Sequence, residues 1–208
     1  MDRTLRPGTL SLIAGVGYLI IFVAAMFANF FSLELIRENP VAAVQQNHII
    51  VRAGILAFMI TVVFDIVVAW ALYELFKEHA LSGLSTLFRM THAVIMGVAV
   101  FALPRALALS VSEDILNQVD IFNTIWLIGL FFFGIHLILL GNIIDGPKII
   151  AIFLVIAGAM YMVDTAAHFL LPNYENYSSV FLALVAVPSI IGEMSFSIWL
   201  LIKARRSG

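Results

Sequence analysis

The chain has 208 residues, 62% hydrophobic and 12% charged, with a mean hydropathy of +1.07. A soluble domain is typically about 45–50% apolar and about 25% charged, so the composition excludes a soluble globular protein and points to an integral membrane one. The net charge of −2 offers no basic surface for nucleic acid, and the absence of cysteine rules out disulfides, thiolate metal sites and cysteine catalysis.

At about 20–25 residues per crossing the length accommodates roughly six spans with short loops and no separate soluble domain. The expected fold is therefore all-α, a single polytopic bundle of six transmembrane helices. Span one, residues 9–31, follows Pro7 and Gly8 and contains no ionisable residue. Its apolar run, Leu10–Phe31, is longer than a signal-peptide core and is followed by no clear small-x-small cleavage site, so it reads as a span. Ser11, Gly15 and Tyr18 share one stripe, which suits close packing on a neighbouring helix. Residues 32–46 form the longest predicted loop, interrupted by Pro40.

Span two, 47–76, carries Arg52 near its start and Thr61 and Asp65 deeper. Span three, 81–108, places Ser85, Arg89 and His92 on one face, with Pro104 and Arg105 near its end. Ser110 and Glu113 have the spacing of a capping box. Span four, 119–143, holds Asn123 and His136, with Gly129 two turns before the ring. After the polar turn Asn142–Lys148, span five, 149–171, carries Tyr161, Asp164 and His168 and stops at Pro172. Span six, 178–203, is expected to be interrupted by Pro188 and Gly192 beside Glu193, because a proline removes a backbone hydrogen bond.

Lys and Arg in short loops set orientation. Cytoplasmic termini place Arg3, Arg6, Lys77, Lys148, Lys203, Arg205 and Arg206 inside, leaving Arg37 and Arg105 outside with the acidic loops. A weak internal echo, Ile13-Ala14-Gly15 with Tyr18 and Ile156-Ala157-Gly158 with Tyr161, is compatible with a duplicated hairpin and with the low complexity of apolar helices alike.

At about 1.5 Å per residue the depth of each polar side chain follows from its distance to the nearest span end. Asp65 lies roughly 18 Å from the inner surface, Arg89 and His92 roughly 12 and 16 Å, His136 roughly 10 Å and Glu193 roughly 15 Å. These five residues on four helices share an inner slab, the expected site of ligand or proton binding. An outer layer comprises Arg52, Asn123, Tyr161, Asp164 and His168, with Arg52 as the expected counter-ion of Asp164 and Tyr161 as its hydrogen-bond donor. Ionisable groups inside a membrane are expensive and commonly functional, although pairs such as Asp65–Arg89 also serve simply to fix helix register.

Several chemistries can be weighed on residue type. His92, His136, Asp65 and Glu193 are candidate metal ligands, but no HExxH or HxxxH pair supports them, so no metal is assigned. A haem between His92 and His136 has equally thin support. A retinal Schiff base lacks its intramembrane lysine and a serine protease lacks its GxSx motif. No cofactor follows from the sequence. The leading reading is a non-enzymatic membrane protein that binds or moves a small ligand, ion or proton. The alternatives are a metal-dependent intramembrane hydrolase acting on a lipid and a structural or partner-binding subunit. Its partners are the bilayer and a small ligand or ion, and so small a bundle leaves a homo-oligomer open.

The order of several pieces carries a family likeness: GYLIIFVAA in span one, Val51-Arg52-Ala53-Gly54-Ile55, Phe88-Arg89, FFFGIHLILLG around His136, GAMYMVDTAAHFLLPNY, and Gly192-Glu193 with Trp199-Leu200-Leu201 and Lys203. In these the chain resembles the bacterial membrane family catalogued as domain of unknown function 4386. The resemblance covers essentially the whole chain. It implies a six-span bundle in a prokaryotic cytoplasmic membrane, draws attention to Arg52, Arg89, His136, Asp164 and Glu193, and implies no activity.

Overall fold

The structure is a computed structural model that describes residues 5–206; Arg3 lies outside them. Among the described residues there are six helices long and apolar enough to cross a membrane: Pro7–Glu38, His48–Phe76, Ser82–Ala106, Ser112–Ile143, Lys148–Leu170 and Tyr174–Arg206. They are called spans one to six. Each packs on its neighbours in sequence, and span six returns to span one, so the six close into a ring.

Two apolar clusters fill the ring. The inner one draws on every span but the third, from Tyr18, Leu72, Leu137, Leu154 and Phe196 among others. The outer one contains Phe58, Leu103, Ile115 and Phe122, drawn from the first four spans and the segment between spans one and two. Small residues let spans four and five approach closely. A Cβ on Gly134 would stand 2.5 Å from the Gly158 carbonyl oxygen, and one on Gly141 2.8 Å from that of Ala151. Such seams are the usual means of helix association where lipid removes the hydrophobic driving force.

Three expectations about element ends are corrected. The loop predicted at 32–46 is largely helical. Span one runs on through a π-helical turn, Ala28–Leu33, to Glu38, and Pro40 then opens a short helix, Pro40–Gln45. The extra residue per turn swings Ser32, Leu33 and Ile36 inward, where all are buried, with Ser32 seated against Gly54 of span two. Secondly, span four starts at Ser112 after an extended Val111, so Glu113 falls at the second helical position and the Ser110–Glu113 capping box does not form. Glu113 and Asp114 favour the helix start through its dipole instead.

Thirdly, span six is not interrupted: the helix Ser178–Arg206 continues through Pro188. Gly192 serves packing, since a Cβ there would lie 3.1 Å from the Leu154 amide nitrogen of span five. The expected stripe of Ser11, Gly15 and Tyr18 is buried against neighbours, with Ser197 of span six donating to the Gly15 carbonyl at 2.9 Å.

Candidate functional site

The deepest polar side chains meet in one connected network. Arg89 on span three is 1% exposed, the largest of the fully buried side chains. Its Nη2 donates to Asp65 Oδ1 of span two at 2.7 Å. Its Nη1 donates to the Tyr18 hydroxyl of span one at 2.6 Å and faces His136 Nε2 of span four at 3.3 Å. The guanidinium also lies 4.7 Å from the Tyr18 ring centre and 5.3 Å from that of Phe133. Two aromatic faces thus supplement one carboxylate in holding a fully desolvated cation.

The partners of His136 fix its tautomer. Nδ1 lies 2.8 Å from the Ser85 hydroxyl and 3.0 Å from the Ser85 carbonyl oxygen, both able to accept a hydrogen from it. Nε2 then presents its lone pair to Arg89, which can only donate. Both ring nitrogens are engaged. His92 approaches the second Asp65 oxygen at 3.7 Å through Nε2, while its buried Nδ1 faces Gly129 without a hydrogen bond. Gly129 is what makes room there, since a Cβ would stand 3.1 Å from Nδ1.

Glu193 completes the inner slab differently. Span six reaches the network through Phe196, which packs edge-on against Tyr18 at 5.7 Å between ring centres, yet among the described residues Glu193 has no hydrogen bond or ion pair. Ser189 and Ser197, one helical turn to either side of it, are buried, as is Phe196. Glu193 therefore sits on the buried face of span six while remaining only half-buried. The structure brings Asp65, Arg89, His92 and His136 into contact and leaves Glu193 beside them with free surface.

The expected outer layer does not converge. Arg52 is exposed and turned away from the bundle. Asp164 instead accepts a hydrogen bond at 2.6 Å from Tyr174, in the 3-10 turn Tyr174–Tyr177 that opens span six. Tyr161, expected to donate to Asp164, packs edge-on against Phe133 at 5.7 Å between ring centres. His168 stacks edge-on with Tyr174 at 4.6 Å, and Asn123 faces Arg37 at 3.5 Å. The reason is rotational: depth follows from residue number, but the direction a side chain takes around its helix depends on neighbours.

Two participants were missed. By sequence Tyr18 is only part of a packing stripe, although the rise from Pro7 places it roughly 16 Å deep, level with the slab. Tyr174 belongs to the turn after Pro172, and no depth or periodicity signal reaches there.

The sequence profile of the family described as domain of unknown function (DUF4386) matches residues 13–204, nearly the entire chain. The chain belongs to this family. A protein of Archaeoglobus fulgidus, described as an uncharacterized protein, is 28% identical over 159 residues, spanning 74% of this chain and 85% of its own length. No solved structure matches.

In this DUF4386 protein the donor set argues against the metal and haem alternatives. Among the described residues no three His, Asp or Glu side chains group as a metal shell. His136 has no free lone pair, and the Arg89 charge stands against its Nε2. His92 and His136 both pack against the Phe133 ring, at 4.9 and 5.7 Å between centres.

Proposed function

We propose that this DUF4386 member is a multi-pass protein of the prokaryotic cytoplasmic membrane, both termini cytoplasmic, that binds or translocates a small ligand, ion or proton at the slab anchored by Arg89. The orientation follows the excess of Lys and Arg at the end bearing Arg6, Lys77, Lys148 and Lys203. Lys203 lies over the rings of Phe76 and Trp199 at that end, the interfacial arrangement expected of a snorkelling lysine.

The observation that carries the reading is Glu193. Asp65 is held by Arg89 and approached by His92, so its charge is balanced and it is not the exchangeable group. Glu193 is the remaining carboxylate of the slab, half-buried on an otherwise buried face and without a bonding partner among the described residues. A carboxylate at such depth is costly unless something binds to it. A proton or cation does so, while the Arg89 network stays in place as a fixed frame. A purely structural role accounts for Asp65, Arg89, Tyr18 and His136, which tie four spans together, but leaves Glu193 unexplained.

Reconstitution into proteoliposomes tests this. The wild-type protein is expected to carry protons, Na+ or K+ faster than empty liposomes, and Glu193→Gln to abolish the difference. Equal flux in wild type and Glu193→Gln contradicts the reading.

A further inference from the structure

The outer halves of spans five and six are packed unlike the rest of the bundle. Along span five the buried stripe Ile150, Leu154 and Ala157 continues, by helical periodicity, through Tyr161, Asp164 and His168. Yet all three of these are only half-buried, and between residues 159 and 170 Thr165 alone is buried, where it touches span four through the Leu127 carbonyl. On span six, Val185 and Phe181 continue the stripe of Ser189, and no residue from 178 to 187 is buried. The outer apolar cluster contains residues of the first four spans and none of the fifth or sixth. Residues that should face the interior therefore retain accessible surface, the pattern that a gap between the five–six hairpin and the other four spans leaves, with Tyr161 and Glu193 at its inner end.

What lines the gap decides its contents. The outer half of the inward stripe of span five (Tyr161, Asp164, His168) is polar and meets Val185 and Phe181 of span six, whereas Ile152, Ile156, Val163 and Leu170 on the opposite side of the same helix are exposed and apolar. Hydrocarbon would make the polar stripe costly, and water would not. The charges are of one sign. Asp164 and Glu193 lie on the inward stripes of spans five and six, and Glu175 stands on the turn that joins them. Of the arginines in the bundle interior and outer half, Arg89 is paired with Asp65, Arg37 with Glu34, Arg105 lies over the Phe101 ring of span three, and Arg52 is turned away from the bundle.

We propose that the outer halves of spans five and six border a water-filled, cation-attracting vestibule that descends from the Tyr174 turn to Glu193. Tyr174 bonds Asp164 across its rim and stacks on Phe181 at 5.4 Å between centres, so it clasps the two spans together where the vestibule begins. Narrow, water-filled clefts lined by one sign of charge concentrate counter-ions, and here those are cations: protons, metal ions or small ammonium compounds. The vestibule does not depend on Glu193 being exchangeable, because a wet cleft can end at an inert carboxylate.

The chain contains no cysteine, so single cysteines report without background. Tyr161→Cys and His168→Cys would be compared with Ile156→Cys and Val163→Cys in nanodiscs, using trimethylammonium-ethyl and sulfonato-ethyl methanethiosulfonates, each normalised to its rate with a free thiol. Both vestibule cysteines should react about tenfold faster than the lipid-facing pair, because hydrocarbon suppresses the reactive thiolate. The cationic reagent should be preferred, and Asp164→Asn in the Tyr161→Cys background should reduce that preference. Rates at both vestibule positions no higher than at Ile156→Cys would overturn the vestibule, and equal rates for the two reagents would overturn its selectivity. A proteoliposome flux that fails while labelling succeeds would remove the role of Glu193 and leave the vestibule standing.

Discussion

Asp65 and Arg89 meet at 2.7 Å in the interior of the bundle with side chains 4% and 1% exposed, so neither charge can turn to water if the other is removed. Breaking a buried pair from one side typically costs about 3–5 kcal/mol, whereas replacing both partners by apolar groups is often close to neutral. Asp65→Asn and Arg89→Met are therefore each expected to lower thermal stability in detergent strongly, and the double variant Asp65→Leu/Arg89→Met less than the sum. A strictly additive double variant would show that the pair is not coupled.

His136 should be a neutral imidazole with its hydrogen on Nδ1, because Ser85 supplies an acceptor on that side and Arg89 a donor on the other. Solid-state nitrogen NMR of histidine-labelled protein distinguishes the tautomers directly. A signal for His136 protonated at Nε2 would contradict the arrangement. His136→Asn keeps one donor and one acceptor, and should be tolerated better than His136→Leu, which strands the Arg89 Nη1 side of the network.

The seam between spans four and five rests on Gly134 and Gly158, where added Cβ atoms would strike each other's carbonyl oxygen. Gly158→Ala should destabilise by about 1–3 kcal/mol through overpacking. Gly83 has nothing within 4 Å of such a Cβ, so Gly83→Ala should leave the melting temperature unchanged or slightly raised. Thermal unfolding of the two variants in the same detergent checks both. Equal effects would mean that the two helices do not approach as described.

Tyr174→Phe removes the hydroxyl that bonds Asp164 while keeping the ring on His168 and Phe181. Loss of one hydrogen bond to a charged group is worth about 1.5–3 kcal/mol. The expected result is faster limited proteolysis within Leu171–Tyr177, with the remaining cleavage pattern unchanged. An unaltered rate at that turn would show that the bond does not hold it.

Much of this fold is legible in the sequence because a bilayer imposes length: each crossing demands a long apolar helix, and six such windows are present. The slab is legible for the same reason, since a constant rise per residue converts sequence position into depth, and Asp65, Arg89, His92 and His136 do meet. Azimuth is not legible. When lipid and core are equally apolar, no hydrophobic face records which way a helix is turned, so Arg52, expected to face Asp164, stands outward. The Tyr174–Asp164 bond was hidden because a turn brings back a residue that helix periodicity does not place. The continuation of span one past Phe31 was hidden because a π turn leaves no compositional mark, and Pro40, read as interrupting a loop, in fact begins a short helix.

The claim on which the functional account rests is that Glu193, and not Asp65, is the exchangeable carboxylate of the interior. Infrared difference spectroscopy of the protein in lipid, titrated between acid and alkaline buffer, reads this directly. The account predicts a protonated-carboxyl band that titrates in the wild type, vanishes in Glu193→Gln, and persists in Asp65→Asn wherever that variant remains folded. A titrating band that survives Glu193→Gln unchanged would contradict it.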